Sequence, residues 1–174
     1  MKTIGLISIE DTSEPIRQAL EYMGYFVGMH KIGRPQHFID ILSGKTPCAY
    51  DSIVINCHGD GDGKIIMPKL HESVYFSDEP CRNFGFKEIN QYMQLQNKLI
   101  VSTGCSTGNE ALVKAFTKNC NTYIAPVCDP NGSSAMIYIC LLFYHINFDR
   151  FNIEDAHSKA SSIDVDTKMF TLFK

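Results

Sequence analysis

Hydrophobic positions along the chain follow two alternating patterns, which predict strands and helices in turn. Short apolar runs predict five strands, at 3–9, 25–29, 52–57, 98–103 and 122–127. Apolar residues spaced three and four positions apart predict helices at about 14–23, 35–43, 87–96, 107–118, 133–146 and 153–160. Between 58 and 86 the periodicity fades into a glycine- and proline-rich loop with two weak extended pieces, at 65–67 and 74–76. Residues 169–173 show no clear pattern.

Strands that alternate with helices predict an α/β fold in which right-handed crossovers build a mostly parallel sheet flanked by helices. No internal repeat or change of composition divides the sequence. We therefore expect a single domain over residues 1–174.

Composition removes several classes of function. The chain has 16 basic and 19 acidic residues, a formal charge of −3, and so lacks the positive surplus that nucleic-acid binding requires. Its most apolar run, 135–146, is shorter than the roughly 20 residues of a membrane span, and acidic residues follow the first strand where a secretory leader would be cleaved. Seven cysteines with no CxxC pair indicate reduced thiols in a cytoplasmic protein. We expect no cofactor and no metal, since the Asp60 and Asp62 loop lacks the later glutamate of a calcium loop.

Two residues follow successive predicted strands. His58 comes directly after the third strand and Cys105 after the fourth, at the edge of a parallel sheet where functional groups collect. Neighbouring strands lie about 4.8 Å apart, so these side chains come within reach of one proton transfer. The pair predicts a nucleophile and its base. A helix after Cys105 further predicts a thiol pKa below the ordinary value.

Glycines beside both residues fit acyl transfer. Gly104 allows a sharp turn before the cysteine, and the N–H of Gly59 can join that of Cys105 in holding an oxyanion. The predicted reaction is attack by the Cys105 thiolate on a carbonyl, protonation of the leaving amine by His58, and hydrolysis of the thioester. This is the chemistry of a cysteine peptidase.

The segments around both residues, 53–59 (IVINCHG) and 99–108 (LIVSTGCSTG), resemble those of the caspase-like peptidases of clan CD. The stretches 63–68, 127–144 and 154–160 look most like the CHAT subgroup. The resemblance implies a three-layer caspase-like sandwich, a dyad of His58 and Cys105, and an oxyanion hole that uses Gly59. It also implies an endopeptidase acting on a protein or peptide substrate in signalling, cell death or microbial defence. The repeat or sensor domains of many CHAT proteins are absent, which leaves room for a separate regulatory or sensor subunit.

Substrate preference is less well defined by the sequence. The position two before the nucleophile, an aspartate in metacaspases that select basic residues, is Thr103 here. Asp129, after the fifth strand, is the first candidate for an acidic wall of the substrate pocket, with Asp60 or Asp62 as alternatives. Gly104 and Ser106, which flank the nucleophile, are also predicted to contact substrate.

Two other functions remain open. The caspase-like fold can serve as a binding or assembly module whose dyad is idle. A class I glutamine amidotransferase also places a cysteine between a strand and a helix, but its base normally follows the cysteine. Only His145 and His157 lie downstream, and neither is in a His-x-Glu context.

Overall fold

The computed structural model describes residues 2–46 and 49–174, and a six-stranded sheet runs through its centre. The strand order is β2-β1-β3-β4-β5-β6, with the first five strands parallel and β6 antiparallel to β5. The strands are β1 (Thr3–Ile9), β2 (Phe26–Ile32), β3 (Ser52–Asn56), β4 (Leu99–Ser102), β5 (Thr122–Pro126) and β6 (Phe170–Phe173).

Helices cover both faces of the sheet. One layer contains α2 (Pro35–Leu42), α3 (Phe86–Tyr92) and α4 (Glu110–Thr117). The other contains α1 (Glu14–Tyr22), α5 (Gly132–Asn147) and α6 (Ile153–Ala160). The expected α/β fold, with a mostly parallel sheet between two helical layers, is confirmed.

The apolar sequence of β3 explains why the sheet has a core on each face. Successive side chains of a strand point to opposite faces. Ile53 and Ile55 therefore pack in the core that contains Phe38, and Val54 packs in the core that contains Leu142. The side chains of Ile53, Val54, Ile55 and Leu142 are each at most 1% exposed. Each such burial stabilises the fold by about 1.5–3 kcal/mol, which favours a strand covered on both sides.

Several element boundaries differ from the predictions. Strand β2 continues to Ile32 because its polar residues pair with β1 at the edge of the sheet, where one face is partly exposed. Helix α3 ends at Tyr92, since Met93 turns to an extended backbone and Gln94 N–H donates to the Leu42 carbonyl. The unassigned C-terminal residues form β6, which pairs with β5.

Two differences lie near the predicted site. Helix α4 begins at Glu110 with Asn109 as its cap, and residues 105–108 form turns rather than the first helical turn. In the long loop, the predicted extended piece at 74–76 is wrong, because Glu72–Val74 forms a 3₁₀ turn. The other predicted piece is extended at Ile65, which bridges Gly59 and Phe84.

A buried ion pair fastens the long loop to the start of α2. Glu79 is 5% exposed, and its carboxylate accepts hydrogen bonds from Arg34 Nε at 3.0 Å, Gln36 N–H at 2.7 Å and Phe76 N–H at 3.1 Å. The Arg34 guanidinium also lies 3.6 Å from the centre of the Phe76 ring. These contacts, the Arg34 hydrogen bond being the largest cause, lower the pKa of Glu79 to about 2. The loop that follows His58 is thus anchored at its outer end.

Cys57, Cys81, Cys105, Cys120, Cys128 and Cys140 are free thiols, and Cys48 lies outside the described residues. None of the helices in residues 2–46 and 49–174 is long and apolar enough to cross a membrane.

Glu79→Gln is expected to lower the free energy of unfolding by about 2 kcal/mol at pH 7, because an amide cannot accept this full set of charge-assisted hydrogen bonds. The folded-state pKa of about 2 lies below the ordinary 4.5. The stabilisation by Glu79 is therefore complete above pH 4.5 and is lost as the pH falls towards 2. Urea unfolding at pH 7 and pH 3 tests this, with exposed Glu72→Gln as the control. An equal loss at both pH values would contradict it.

Candidate active site

The pairing of β3 with β4 brings the two predicted site residues to the same height. Ser52 lies opposite Leu99 and Ile55 lies opposite Ser102. The same register, continued three residues beyond the last pair, puts His58 level with Cys105. Both residues line one cavity of about 100 Å³ at the carboxyl ends of the strands. The structure therefore brings His58 and Cys105 together.

Gly59 lies so close to Cys105 that no side chain fits between them. A Cβ built on Gly59 would lie 1.8 Å from the Cys105 carbonyl oxygen, and one on Gly104 would lie 2.9 Å from Cys57 Sγ. Hydrogen bonds from the N–H groups of Gly59 and Cys105 both act to lower the pKa of the thiol.

The net effect of the surroundings is nevertheless to raise the pKa of Cys105. Burial of the thiol is the largest cause, and the negative charge of Asp129 is the next. The prediction of a lowered pKa is therefore wrong. It assumed that α4 begins directly after the nucleophile, whereas the helix begins at Glu110. Its N-terminus is then too distant to act strongly, because the helix dipole acts within about one turn.

A buried polar network lies beneath the pair. Asn56 Nδ2 donates to Ser13 Oγ at 2.9 Å, and Thr103 Oγ1 donates to Asn56 Oδ1 at 2.9 Å. Cys57 N–H in turn donates to Thr103 Oγ1 at 3.1 Å. The network joins the ends of β3 and β4 to the start of α1. The sequence signal for it was Asn56, a polar residue that ends an otherwise apolar strand.

Asp60 organises the loop that carries His58. Its Oδ1 accepts from the N–H groups of Asp62 and Lys64 at 3.0 Å each, and its Oδ2 accepts from Asn83 Nδ2 at 2.7 Å. Both oxygens are therefore engaged within the loop. Asp62 is exposed and pairs with Lys64 at 2.8 Å. Neither acid is among the residues that line the His58 and Cys105 cavity.

Asp129 and Ser106 lie directly beside the nucleophile. Ser106 Oγ donates to Asp129 Oδ1 at 2.9 Å, and Ser106 N–H donates to the Cys128 carbonyl at 2.9 Å. Ser106 has a φ of 54°, a left-handed conformation that is costly for a residue with a side chain. The two contacts hold the turn after Cys105 against the segment that follows β5.

Asp11 is a site residue that sequence reasoning missed. It lines the cavity with His58 and Cys105, where Pro130 and Gly132 complete the wall. From the sequence, Asp11, Thr12 and Ser13 were all possible caps of α1, and Ser13 occupies that position. The available signal was its place directly after β1, at the same edge of the sheet.

Asn109 connects three parts of the site. Its Oδ1 accepts from Leu112 N–H at 3.0 Å and so caps α4. Its Nδ2 donates to the carbonyls of Gly63 at 3.1 Å and Ser106 at 2.9 Å. One side chain thus fixes the nucleophile turn to the loop that bears His58.

The downstream histidines have other partners. His145 Nδ1 lies 2.6 Å from Asp149 Oδ2, and His157 Nδ1 lies 2.6 Å from the Tyr138 hydroxyl. Neither histidine is among the residues that line the cavity with Cys105. The geometry therefore gives no support to an amidotransferase arrangement.

The fold is caspase-like, as its similarity to solved structures shows. Similar structures are the Saccharomyces cerevisiae separase–securin complex (TM-score 0.59, 12% identity), the Arg-specific cysteine proteinase gingipain R (0.61, 12%) and drICE (0.54, 10%). Each match covers 99% of this chain, but it covers 11%, 45% and 87% of those chains respectively. The chain thus spans less than half the length of the first two. No protein-family model matches the chain, and no curated protein matches it in sequence.

Asn109→Asp is expected to speed amide hydrogen exchange in residues 58–65 by about tenfold, because it removes the donor to Gly63 while it keeps an acceptor for the α4 cap. Hydrogen exchange measured by mass spectrometry tests this. The control is Asn131→Asp, the same change at the cap of α5, where the side chain accepts from Ser133 N–H. Unchanged protection of 58–65 in Asn109→Asp would contradict the assignment.

Proposed function

We propose that the chain is a cysteine endopeptidase that cleaves a protein substrate through a dyad of Cys105 and His58. The observation that carries the proposal is that both residues follow neighbouring strands at one height and line one cavity, with the Gly59 backbone packed against that of Cys105. This arrangement supplies a nucleophile, a base and donors for a developing oxyanion. The caspase-like fold is consistent with the same chemistry.

In the proposed mechanism, the Cys105 thiol passes its proton to His58 as the sulfur attacks the substrate carbonyl. The carbonyl oxygen becomes an oxyanion that the N–H groups of Gly59 and Cys105 stabilise. His58 then donates the proton to the leaving amine, and the acyl group remains on the sulfur as a thioester. Water, deprotonated by His58, hydrolyses the thioester and restores the thiol.

The cavity would receive the side chain on the amino side of the scissile bond. Asp11 lines it, whereas both carboxylate oxygens of Asp60 are engaged in its own loop. We therefore assign the acidic wall to Asp11 and expect a preference for Lys or Arg. Asp129, the first candidate for the acidic wall from the sequence, is not among the residues that line the cavity. It remains, with Gly104 and Ser106, a predicted contact of the substrate.

The proposal also covers the peptidase subgroup and the cellular role of the chain. The sequence blocks favour the CHAT subgroup and a cytoplasmic role in signalling, cell death or microbial defence. One of the similar structures is a complex of separase with securin. That precedent supports a separate regulatory protein for this chain as well.

A second candidate is a caspase-like binding module with an idle dyad. The observation in its favour is the raised pKa of Cys105, which leaves the resting nucleophile as a neutral thiol. The two candidates differ in whether Cys105 reacts selectively with a substrate-like electrophile.

A peptide acyloxymethyl ketone is expected to label Cys105 selectively, because among the six thiols that the structure describes only this one lines a cavity with His58. Cys105→Ala should abolish labelling, and His58→Ala should slow it by about 100-fold or more. Intact and peptide mass spectrometry provide the measurement. Cys128→Ser, which removes an exposed neighbouring thiol, is the control that should label normally. Equal labelling of Cys81 or Cys128 would count against a peptidase.

Fluorogenic peptides with Arg at the cleavage position are expected to be cut faster than the same peptides with citrulline, the neutral isostere. Asp11→Asn should lower kcat/KM for Arg about tenfold or more and leave the citrulline value nearly unchanged, because it removes one charge-assisted hydrogen bond. Asp62→Asn is the matched control. An Arg-to-citrulline ratio that Asp11→Asn does not alter would refute the assignment of Asp11.

A further inference from the structure

The turn that carries the nucleophile lies over two buried hydroxyl groups. Ser102 ends β4 and Thr107 lies two residues beyond Cys105, and neither side chain is exposed. Their oxygens, Ser102 Oγ and Thr107 Oγ1, lie 2.9 Å apart. Thr107 Oγ1 donates to the Gly104 carbonyl at 2.7 Å. Because a hydroxyl has one hydrogen to donate, the hydrogen between the two oxygens comes from Ser102.

These hydroxyls hold Gly104 from both of its sides. The Gly104 carbonyl also accepts from the Thr107 N–H at 3.2 Å, and the Gly104 N–H donates to Ser102 Oγ at 3.3 Å. A glycine has wide conformational freedom of its own. The peptide group that links Gly104 to Cys105 therefore depends on these hydrogen bonds for its orientation.

The orientation of this peptide group decides where the Cys105 N–H points. The peptide bond is trans, so its C=O and N–H point in opposite directions. Since the carbonyl is directed at the buried hydroxyls, the N–H is directed away from them. Within residues 2–46 and 49–174, this N–H donates to no carbonyl or side chain of another residue. A carbonyl that accepts hydrogen bonds also polarises its peptide group, which makes the N–H a stronger donor.

We propose that Thr107, supported by Ser102, is a positioning residue that orients the Cys105 N–H as an oxyanion donor. Thr107 acts through the Gly104 carbonyl. The inference rests on the proposed function, since the oxyanion forms when Cys105 attacks a carbonyl. In that step the sulfur–carbon bond forms, the π electrons of the carbonyl move to its oxygen, and the thiol proton passes to His58.

Thr107→Val is expected to lower kcat for peptide cleavage at least about tenfold and to change KM less than about twofold, because valine lacks the hydroxyl but has a similar shape. Thr107→Ser keeps the hydroxyl and should restore most of kcat. Thr117→Val is the matched control, since it also removes a hydroxyl that donates to a carbonyl, that of Val113 at 2.8 Å. Ser102→Ala is a second variant and should lower kcat in the same direction.

Two electrophiles separate an effect on the oxyanion from damage to the nucleophile. A peptide aldehyde with arginine at its end adds to the sulfur and leaves its oxygen at the oxyanion position, so Thr107→Val should bind it at least about tenfold more weakly. Iodoacetamide alkylates the sulfur with loss of iodide and forms no oxyanion. Its rate with Cys105, followed by peptide mass spectrometry on the full chain, should change less than about twofold.

The inference is overturned if Thr107→Val cleaves peptides with the kcat of the unsubstituted chain, or if Thr107→Ser loses as much activity as Thr107→Val. Equal slowing of alkylation and cleavage would also overturn it, because a general disturbance of the turn would then explain both. An unsubstituted chain that cleaves no peptide contradicts the proposed function instead. The aldehyde then tests the inference alone, and equally tight binding by Thr107→Val would overturn it.

Discussion

The parallel pairing of β3 with β4 is the constraint on which the site depends. Side chains alternate along a strand, so a register shift of one residue would turn Cys105 away from His58. The pairing is reinforced at the site itself, where Thr103 bonds to Asn56 and to the N–H of Cys57. Beyond the last strand pair, Gly59 continues the close approach by lying against the Cys105 backbone. The meeting of base and nucleophile is therefore a property of the sheet, and the loops refine it.

The electrostatic balance around the sulfur opposes the usual picture of a preformed thiolate. Burial and the charge of Asp129 favour the neutral thiol, whereas the backbone N–H groups of Gly59 and Cys105 favour the thiolate. The first two effects are larger, so the pKa of Cys105 is raised. The same N–H groups can stabilise negative charge on a substrate oxygen. For the proposed peptidase, these donors would stabilise the transition state more than the resting thiol, as differential binding requires.

The order and type of the elements were predictable because each carries its own local pattern. The apolar runs of β1 and β3 and the spacing of α1 needed no tertiary information. The proximity of His58 and Cys105 was also predictable, since a parallel sheet collects the ends of its strands at one edge. Element boundaries depended on tertiary contacts, as at β2, where pairing with β1 extends a strand whose polar residues hide its length.

The remaining parts of the site depend on distant residues. Asn109 reads as an ordinary helix cap, but its contact with Gly63 spans 46 positions. Asp11 and Asp129 are single acids whose significance appears only when the ends of β1 and β5 come together. The direction of the Cys105 pKa depends on burial of the thiol and on the charge of Asp129, which no local pattern shows. The start of α4 was equally hidden, because Ser106, Thr107 and Asn109 are all residue types that can cap a helix. The sequence near these three residues does not show which of them caps α4.

Gly59 and Gly63, in the loop that carries His58, limit which substitutions this fold can accept. Buried aliphatic residues can exchange with others of similar volume. Gly59 and Gly63 cannot, because a Cβ at either position would lie 1.8 or 2.4 Å from a backbone oxygen of the nucleophile turn. Replacing the His58 imidazole or the Cys105 sulfur leaves this packing in place, whereas a side chain at either glycine would force the two segments apart.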